Sequence, residues 1–236
     1  MTLLSIPYRS RRRGRSRRGH LVPVLASILI AVLAVTAVAY LLWPTWRSKA
    51  LDSTERLPVS IGETLFNVPP HAFRRKVQRH SGPQERIDLS FVYPSLAPPD
   101  APRHVTAETI EDAPQPIDRI FLSIAAHHDS LAPDILIRTI YPRYFDEAAP
   151  PPHNGLSMRA FRDGTPYAGE DLFSADQPAL VARCTRDMST PGMCLSERRI
   201  GDADLTFRFP RQWLDQWRNV AEAMERLTQQ LRGPQS

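Results

Sequence analysis

An uncharged stretch of 23 residues, positions 21–43, constrains this chain more than any other feature of its sequence. As a helix it would rise about 34 Å, enough to cross a hydrocarbon core of roughly 30 Å with some tilt. The twenty residues before it hold no acidic residue and seven arginines: Arg9, Arg11, Arg12, Arg13, Arg15, Arg17 and Arg18. Because lysine and arginine accumulate on the cytoplasmic side of a span, the pattern predicts a single-pass transmembrane helix with a cytoplasmic N-terminus.

Two fates of this segment remain open. The tripeptide Ala37-Val38-Ala39 has the small-x-small form that signal peptidase favours, so cleavage after Ala39 would release the exported part. Apolar residues continue past it to Trp43, and the run is longer than the roughly 7–15 residues of a signal-peptide core. This favours retention as a signal-anchor in a bacterial inner membrane, with the lipid bilayer as a partner and the rest of the chain in the periplasm.

The charge of the chain divides at the same place. The whole sequence has a net charge of +5, which in isolation would suggest nucleic-acid binding. Without the seven arginines of the tail, 23 basic and 25 acidic residues remain, a net charge of −2. The excess of arginine therefore predicts topology, with contact to anionic headgroups as a secondary effect, and it gives no ground for a nucleic-acid partner.

We expect four regions: a basic cytoplasmic tail (1–20), the transmembrane helix (21–43), a tether (44–56) and a periplasmic β-rich domain (57–232). The fold class is predicted to be α+β, mostly antiparallel β with a C-terminal amphipathic helix, because the 23 prolines of the chain disfavour long helices. The run 135–141 fits a strand or a short helix. Short apolar or alternating runs predict eight or nine strands, at 57–61, 64–68, 86–93, 117–126, 135–141, 156–161, 179–184, 193–200 and 204–209.

One strong helical pattern lies near the C-terminus. Apolar residues at alternating steps of four and three form a single stripe: Trp213, Trp217, Val220, Met224, Leu227 and Leu231. Opposite charges at helical spacing add support, in the pairs Asp215–Arg218, Arg218–Glu222 and Glu222–Arg226. The stripe predicts a helix packed on the sheet of its own domain, and a partner or dimer helix is the alternative.

Two proline-rich stretches interrupt these elements. Positions 94–116 contain six prolines and predict either a lid or a disordered loop. Positions 149–155 predict a short stiff turn that ends at Asn154-Gly155.

Cys184 and Cys194 are the only cysteines of the chain. They flank a segment with Pro191 and Gly192 in turn positions, so two flanking strands would bring the sulfur atoms together. In an oxidising compartment such a pair forms a disulfide. We therefore predict a structural disulfide, because the spacing does not fit the Cys-x-x-Cys pattern of a redox motif.

No residue pattern predicts catalysis, a cofactor or a metal site. The sequence lacks a glycine-rich phosphate loop and the motifs Gly-x-Ser-x-Gly, Ser-x-x-Lys and His-Glu-x-x-His. His127, His128 and Asp129 form the densest group of metal-ligand types, but no second group at familiar spacing completes a site. Six arginines around the cysteines predict either a solvated sheet face or an anion-binding face: Arg183, Arg186, Arg198, Arg199, Arg208 and Arg211.

The hairpin 60–69 and the run from Cys194 through Glu197 and Arg198 to Arg211 resemble pieces of uncharacterised single-span, membrane-anchored bacterial envelope proteins. The resemblance implies a bacterial inner-membrane setting and no particular activity. From the predicted anchor, the predicted disulfide hairpin and the lack of a catalytic motif, we predict a non-catalytic periplasmic domain that binds an envelope protein or glycan, as an immunity or inhibitor-type protein or as an assembly scaffold. The alternative is a small envelope hydrolase, in one version metal-dependent through the group at 127–129.

Overall fold

The computed structural model describes residues 21–46, 56–100, 117–187 and 192–232, and the chain divides into two compact units, residues 1–50 and 51–236. In the first unit, α1 (Leu21–Trp46) has 26 residues and no charged side chain, and it ends three residues beyond the predicted 21–43. Its side chains are described at positions 25–39, where every one is exposed. Over the described residues, no helix combines the length and the apolar character that a membrane crossing requires. The arginines of the tail lie outside the described residues: Arg9, Arg11, Arg12, Arg13, Arg15, Arg17 and Arg18.

The second unit contains two β-sheets, of which the smaller has three strands. Its central strand β1 (Leu57–Ile61) pairs antiparallel with β2 (Thr64–Val68) and parallel with β3 (Gly82–Pro83). Gly62 lies in the turn between β1 and β2 with a φ of +56°, a conformation that glycine adopts at little cost. This hairpin has the strand bounds that the sequence predicts.

The larger sheet has seven strands, all antiparallel, in the order β4-β5-β10-β9-β8-β7-β6. From β6 to β10 each strand lies beside the next one in the chain, the arrangement that short connections produce. β4 and β6 are the two edge strands. The bounds are β4 (Arg86–Val92), β5 (Arg119–Ala126), β6 (Ser157–Ala160), β7 (Glu170–Ala175), β8 (Leu180–Thr185), β9 (Met193–Ile200) and β10 (Ala203–Pro210).

Helical elements complete the fold. Single 3₁₀ turns lie at Pro70–Ala72 and Lys76–Gln78. The helical segment, defined here as residues 133–144, begins as α2 (Pro133–Ile135) and continues through a π-helical and a 3₁₀ turn. The run at 135–141 is therefore helical and not a strand. A 3₁₀ stretch at Arg211–Gln216 leads into α3 (Trp217–Arg232).

The main core includes one face of the seven-stranded sheet, the three-stranded sheet and α3. All six residues of the predicted C-terminal stripe are buried in it, so the helix packs on its own domain as predicted. A second, smaller core contains Tyr141 of the helical segment together with Phe161 and Leu172. The seven-stranded sheet is thus covered on both faces in its β6–β9 half.

Several sequence predictions need correction. Arg218 does not pair with Asp215 or Glu222, because its guanidinium donates instead to the side-chain and backbone oxygens of Asn154, both at 3.0 Å. Glu222 and Arg226 do pair, at 3.8 Å. β3 and β7 lie where no strand was predicted. The coarser prediction is confirmed: the fold is α+β, with mostly antiparallel strands and a C-terminal helix.

The two proline-rich stretches have different outcomes. The turn at Asn154-Gly155 is present, with φ values of +51° and +75°. Of the lid or loop at 94–116, only residues 94–100 are described. In this part Leu96 folds back on β4, and its N–H donates to the carbonyl of Val92 at 2.7 Å. The remainder lies outside the described residues.

Candidate functional site

β9 lies inside the large sheet, but its two edges are paired unequally. On one edge all eight residues pair with β10, from Met193 opposite Pro210 to Ile200 opposite Ala203. On the other edge, β8 contributes only two register pairs among the described residues, Arg183 with Leu195 and Cys184 with Cys194. Backbone hydrogen-bonding groups of a strand alternate between its two edges. Beyond Leu195, the groups of β9 that point toward β8 therefore have no strand partner in the described part of the chain.

A cavity of about 610 Å³ opens where β8 and β9 separate, and we call it the β8–β9 cleft. The strand residues that line it are 179–181 before and along β8 and 196–199 along β9. Pro133, Asp134 and Ile137 of the helical segment form one wall, and Ala221 and Glu225 of α3 form the other. Its size lies within the range of small-ligand sites, about 300–1,000 Å³.

The side chains of β9 account for this separation. On the face toward the main core, β8 presents Leu180, Ala182 and Cys184, all buried. The matching face of β9 changes from Cys194 to Ser196 and Arg198. Apolar cross-strand pairs, which hold neighbouring strands together, are therefore missing beyond the cysteines.

Two arginines at the cleft carry their own counter-charges. Arg198 Nη1 lies 2.9 Å from Glu225 Oε2, and the guanidinium lies 5.4 Å from the ring centroid of Phe207. Arg199 binds both carboxylate oxygens of Asp204, at 2.7 and 3.0 Å. Burial acts to raise the pKa of Asp204, but hydrogen bonds from Arg199 and Ser130 and the nearby positive charges outweigh it, so the pKa is lowered.

The predicted disulfide is present at the closed end of the cleft. Cys184 and Cys194 stand directly opposite each other, with an S–S distance of 1.98 Å and a Cα–Cα distance of 4.0 Å, and both side chains are fully buried. The two β8–β9 register pairs lie at this crosslink. The disulfide thus fixes the two strands at the point where they begin to separate.

A buried carboxylate supports the same end of the sheet. Asp171 on β7, only 4% exposed, lies opposite Cys184 and receives one hydrogen bond from Arg186 at 2.7 Å and one from Arg211 at 2.6 Å. Arg211 also donates to the carbonyl of Thr185 at 2.9 Å. The single carboxylate of Asp171 thus bridges the two guanidinium groups, which fasten backbone segments that flank the disulfide, and the three side chains together keep one positive charge.

The six arginines around the cysteines therefore form neither a solvated face nor an anion-binding face as a group. Besides the pairs above, Arg183 lies 3.0 Å from Glu170 and stacks over Tyr141 and Tyr167. Only Arg208 of the six is exposed without a recorded ion pair in the described residues. The sequence shows these arginines but not their carboxylate partners, which come from other strands and from α3.

The group at 127–129 is not assembled into a site. The Nδ1 atom of His127 lies 3.0 Å from the carbonyl oxygen of Asp202, and the Nε2 atom of His128 lies 3.3 Å from an exposed Glu85 carboxylate. Among the residues that the structure describes, no group of three or more histidine, cysteine, aspartate or glutamate side chains is placed to hold a metal ion.

A second cavity, of about 580 Å³, lies beside β6 and β7. Phe173, Leu214 and Trp217 contribute its apolar surface, and Arg211 lies in its wall. That arginine is already bound to Asp171. Asp215 also lines this cavity and is exposed, so the cavity combines an apolar surface with one exposed carboxylate.

No family model and no curated protein matches the chain. Two solved structures are similar to it over about three quarters of the chain. An immunity protein of the Stenotrophomonas maltophilia type IV secretion system has 13% identity and a TM-score of 0.49, over 74% of this chain and 92% of that chain. The Neisseria meningitidis iron-regulated outer membrane lipoprotein FrpD has 9% identity and a TM-score of 0.39, over 74% and 93%. Likenesses at this level carry no argument about activity.

Proposed function

We propose that this chain is a single-pass inner-membrane protein whose periplasmic domain binds a polypeptide partner without catalysing a reaction. The binding site is the β8–β9 cleft, and the partner enters it as an extended strand. The observation that carries the proposal is the end of the β8–β9 ladder after two register pairs, beside a cavity of about 610 Å³.

Strand addition suits this site because an unpaired strand edge binds an extended peptide through main-chain hydrogen bonds. The part of β9 from Ser196 onward offers such an edge. Alternate side chains of an added strand point to opposite faces of a sheet. One set would meet Ala221 and Glu225 of α3, and the other would meet Pro133 and Ile137. The backbone of β9 would supply affinity and the two walls would supply selectivity.

The charges favour a cationic partner. The two arginines of the cleft are held by Glu225 and Asp204. Asp176 and Glu197 line the same cleft and have no ion-pair partner recorded among the described residues. Complementary charge speeds association and disfavours partners of the wrong sign. A segment rich in lysine or arginine therefore fits better than an acidic one or an uncharged glycan.

The membrane anchor is supported by the N-terminal sequence. The seven arginines precede 23 uncharged residues, which as one helix at 1.5 Å per residue would be about 34 Å long. Large apolar side chains are exposed on every side of its described part, as at Leu25, Ile30 and Val35. A helix that is apolar all round is typical of a membrane span or a buried core. Retention of the N-terminus in the cytoplasm completes the proposed topology.

A synthetic probe tests the cleft. The probe is a fluorescent peptide of about eight residues that alternates valine and lysine, matched by the same peptide with alternate amides N-methylated. We expect the full-length protein in nanodiscs to bind the first peptide and to lose most of this affinity with the second. Equal binding of both peptides would contradict strand pairing, because N-methylation removes donors and leaves the charge unchanged.

Charge variants locate the binding. We expect the pair Asp176→Lys and Glu197→Lys to weaken binding of the unmethylated peptide by roughly tenfold, since two attractive contacts become repulsive. The pair Glu147→Lys and Asp163→Lys makes the same change of net charge at two exposed positions outside the cleft lining and serves as the control. An equal loss in the control pair would mean that the peptide responds to net charge and not to the cleft.

The hydrolase alternative receives no support from the described residues. His127 and His128 each contact another group, and neither lies in the lining of the β8–β9 cleft. Binding is therefore the function that the geometry favours.

A further inference from the structure

A basic loop projects from the three-stranded sheet, and we define it as residues 74–80. The surrounding stretch 70–84 contains four cationic residues, Arg74, Arg75, Lys76 and Arg79, and no acidic residue. At its tip, on the 3₁₀ turn Lys76–Gln78, Val77 is 79% exposed. An apolar side chain between cations at a loop tip is the composition of a membrane-surface contact.

The loop is held in place by hydrogen bonds from polar side chains within it and beside it. The Gln78 side chain accepts from the N–H of Asp88 and donates to the carbonyl of Arg86, both at 3.1 Å. The Gln84 amide donates to the carbonyls of Gln78 at 3.0 Å and His80 at 2.9 Å. The exposure of Val77 is thus a property of a fixed loop.

Two of the four cations are available for an external anion. Arg75 lies 3.6 Å from Asp88, and Arg74 stacks 4.7 Å over the ring of Phe121. Lys76 and Arg79 have no carboxylate partner recorded among the described residues. The Nε atom of Arg79 is buried there without a hydrogen-bond partner.

The basic loop lies at the end of the three-stranded sheet where strand β1 begins. β3 runs parallel to β1, with Gly82 opposite Val59, so residues that precede Gly82 lie on the same side as residues that precede Val59. Those residues lead through Arg56 to the nine positions 47–55 that connect to α1.

We infer that the basic loop docks on the anionic phospholipid surface of the membrane that holds the anchor. Lys76 and Arg79 contact headgroup phosphates, and Val77 sits at headgroup level. This inference rests on the anchor of the proposed function and not on the cleft. Docking would give the second unit a contact with the bilayer that is separate from the proposed anchor.

The test uses the full chain in nanodiscs of phosphatidylglycerol with phosphatidylethanolamine, compared with nanodiscs of phosphatidylcholine. Val77→Cys provides one free thiol for an environment-sensitive fluorophore, because the native cysteines are joined to each other. We expect a blue shift and quenching by lipid-borne quenchers in the anionic nanodiscs only. A label at Leu131→Cys, a position with 54% exposure, should remain in water in both.

Charge variants in the labelled protein give the size of the effect. A cation near an anionic membrane surface is worth about a fivefold change in binding, so Lys76→Gln with Arg79→Gln should lower the ratio of docked to undocked loop roughly 25-fold. Arg138→Gln with Arg226→Gln removes the same charge elsewhere and should leave the ratio unchanged.

Three results would overturn the inference. One is a Val77 label that stays in water in anionic nanodiscs. Another is equal burial of the label in phosphatidylcholine, which would make charge irrelevant. The third is a Val77 label that leaves water only when polyglutamate is added, which would mean that the loop binds an acidic protein and not the lipid surface. A chain that does not stay with the nanodisc would contradict the proposed anchor as well. Failure of the cleft would appear separately, as a loss of peptide binding.

Discussion

The two edges of β9 differ in how they are completed. The β10 edge has eight register pairs, buried apolar partners such as Phe207 and Phe209, and the cross-strand pair of Arg199 with Asp204. The β8 edge has two register pairs, a disulfide and then a cleft. The same strand thus contributes to the core on one side and offers unpaired backbone on the other. The strands β8 and β9 stay together beside this open edge because the disulfide and the ion pairs of Asp171 hold them at the end where the cleft closes.

The largest effect should come from the buried carboxylate at that closed end. We expect Asp171→Ala to lower the free energy of unfolding by about 3–5 kcal/mol, because Arg186 and Arg211 lose a shared buried counter-charge. Urea denaturation of the variant would measure it.

The control for this change is Asp134→Ala. Asp134 pairs with Arg138 in an exposed i,i+4 pair, which is worth under about 1 kcal/mol. If both variants lose the same stability, the fastening of the closed end does not depend on Asp171.

The next effect should come from the disulfide. Replacing both Cys184 and Cys194 by Ala opens a loop closed over ten positions, which the chain-entropy model values at about 2–3 kcal/mol. We expect the variant to remain folded, with a lower urea midpoint and faster amide exchange along β8. Unchanged exchange along β8 would show that the crosslink does not control the separation of the strands.

The smallest effect should appear on acidification. Burial favours a higher pKa for Asp88 and Asp204, but hydrogen bonds and positive neighbours lower both below the usual value of 3.8. A carboxyl group whose pKa is lower in the folded state than in the unfolded state stabilises the folded state at pH values above the unfolded-state pKa. This stabilisation is lost as the pH falls through the folded-state pKa. We therefore expect stability to fall below about pH 4.

The Asp204→Asn variant sharpens this prediction, since of the two carboxyl groups it removes the one that lies on β10 opposite Arg199 of β9. Its stability at neutral pH should be lower than that of the natural chain, and its loss below about pH 4 should be smaller. Urea denaturation at pH 5 and pH 3 compares the two proteins. An identical acid loss in both would show that Asp204 does not contribute.

The sequence predicts elements whose signal is local. The β1–β2 hairpin, β9 and the buried stripe of α3 follow from periodicity over a few residues, and the disulfide follows from the turn between two strands. β7 was not predicted because it begins with Glu170 and Asp171, whose burial depends on arginines that lie 13 to 40 positions away in the chain.

The cleft could not be predicted for the same reason. It is defined by register pairs that are missing between β8 and β9, and register across strands is a property of the whole sheet. The sequence contains one local signal of the cleft. On the face where β8 stays apolar, β9 changes from Cys194 to the polar side chains of Ser196 and Arg198. The run 135–141 was ambiguous because a short apolar run fits a strand or a helix equally well.

Amide hydrogen exchange along β9 tests the central claim most directly. In the free protein, amides of Ser196–Arg199 that face β10 should exchange slowly and those that face the cleft should exchange fast, because a strand alternates its hydrogen bonds between two edges. Addition of the valine–lysine peptide should slow the second set and leave the first unchanged. Uniformly slow exchange in the free protein, or no protection by the peptide, would contradict an open edge that accepts a strand.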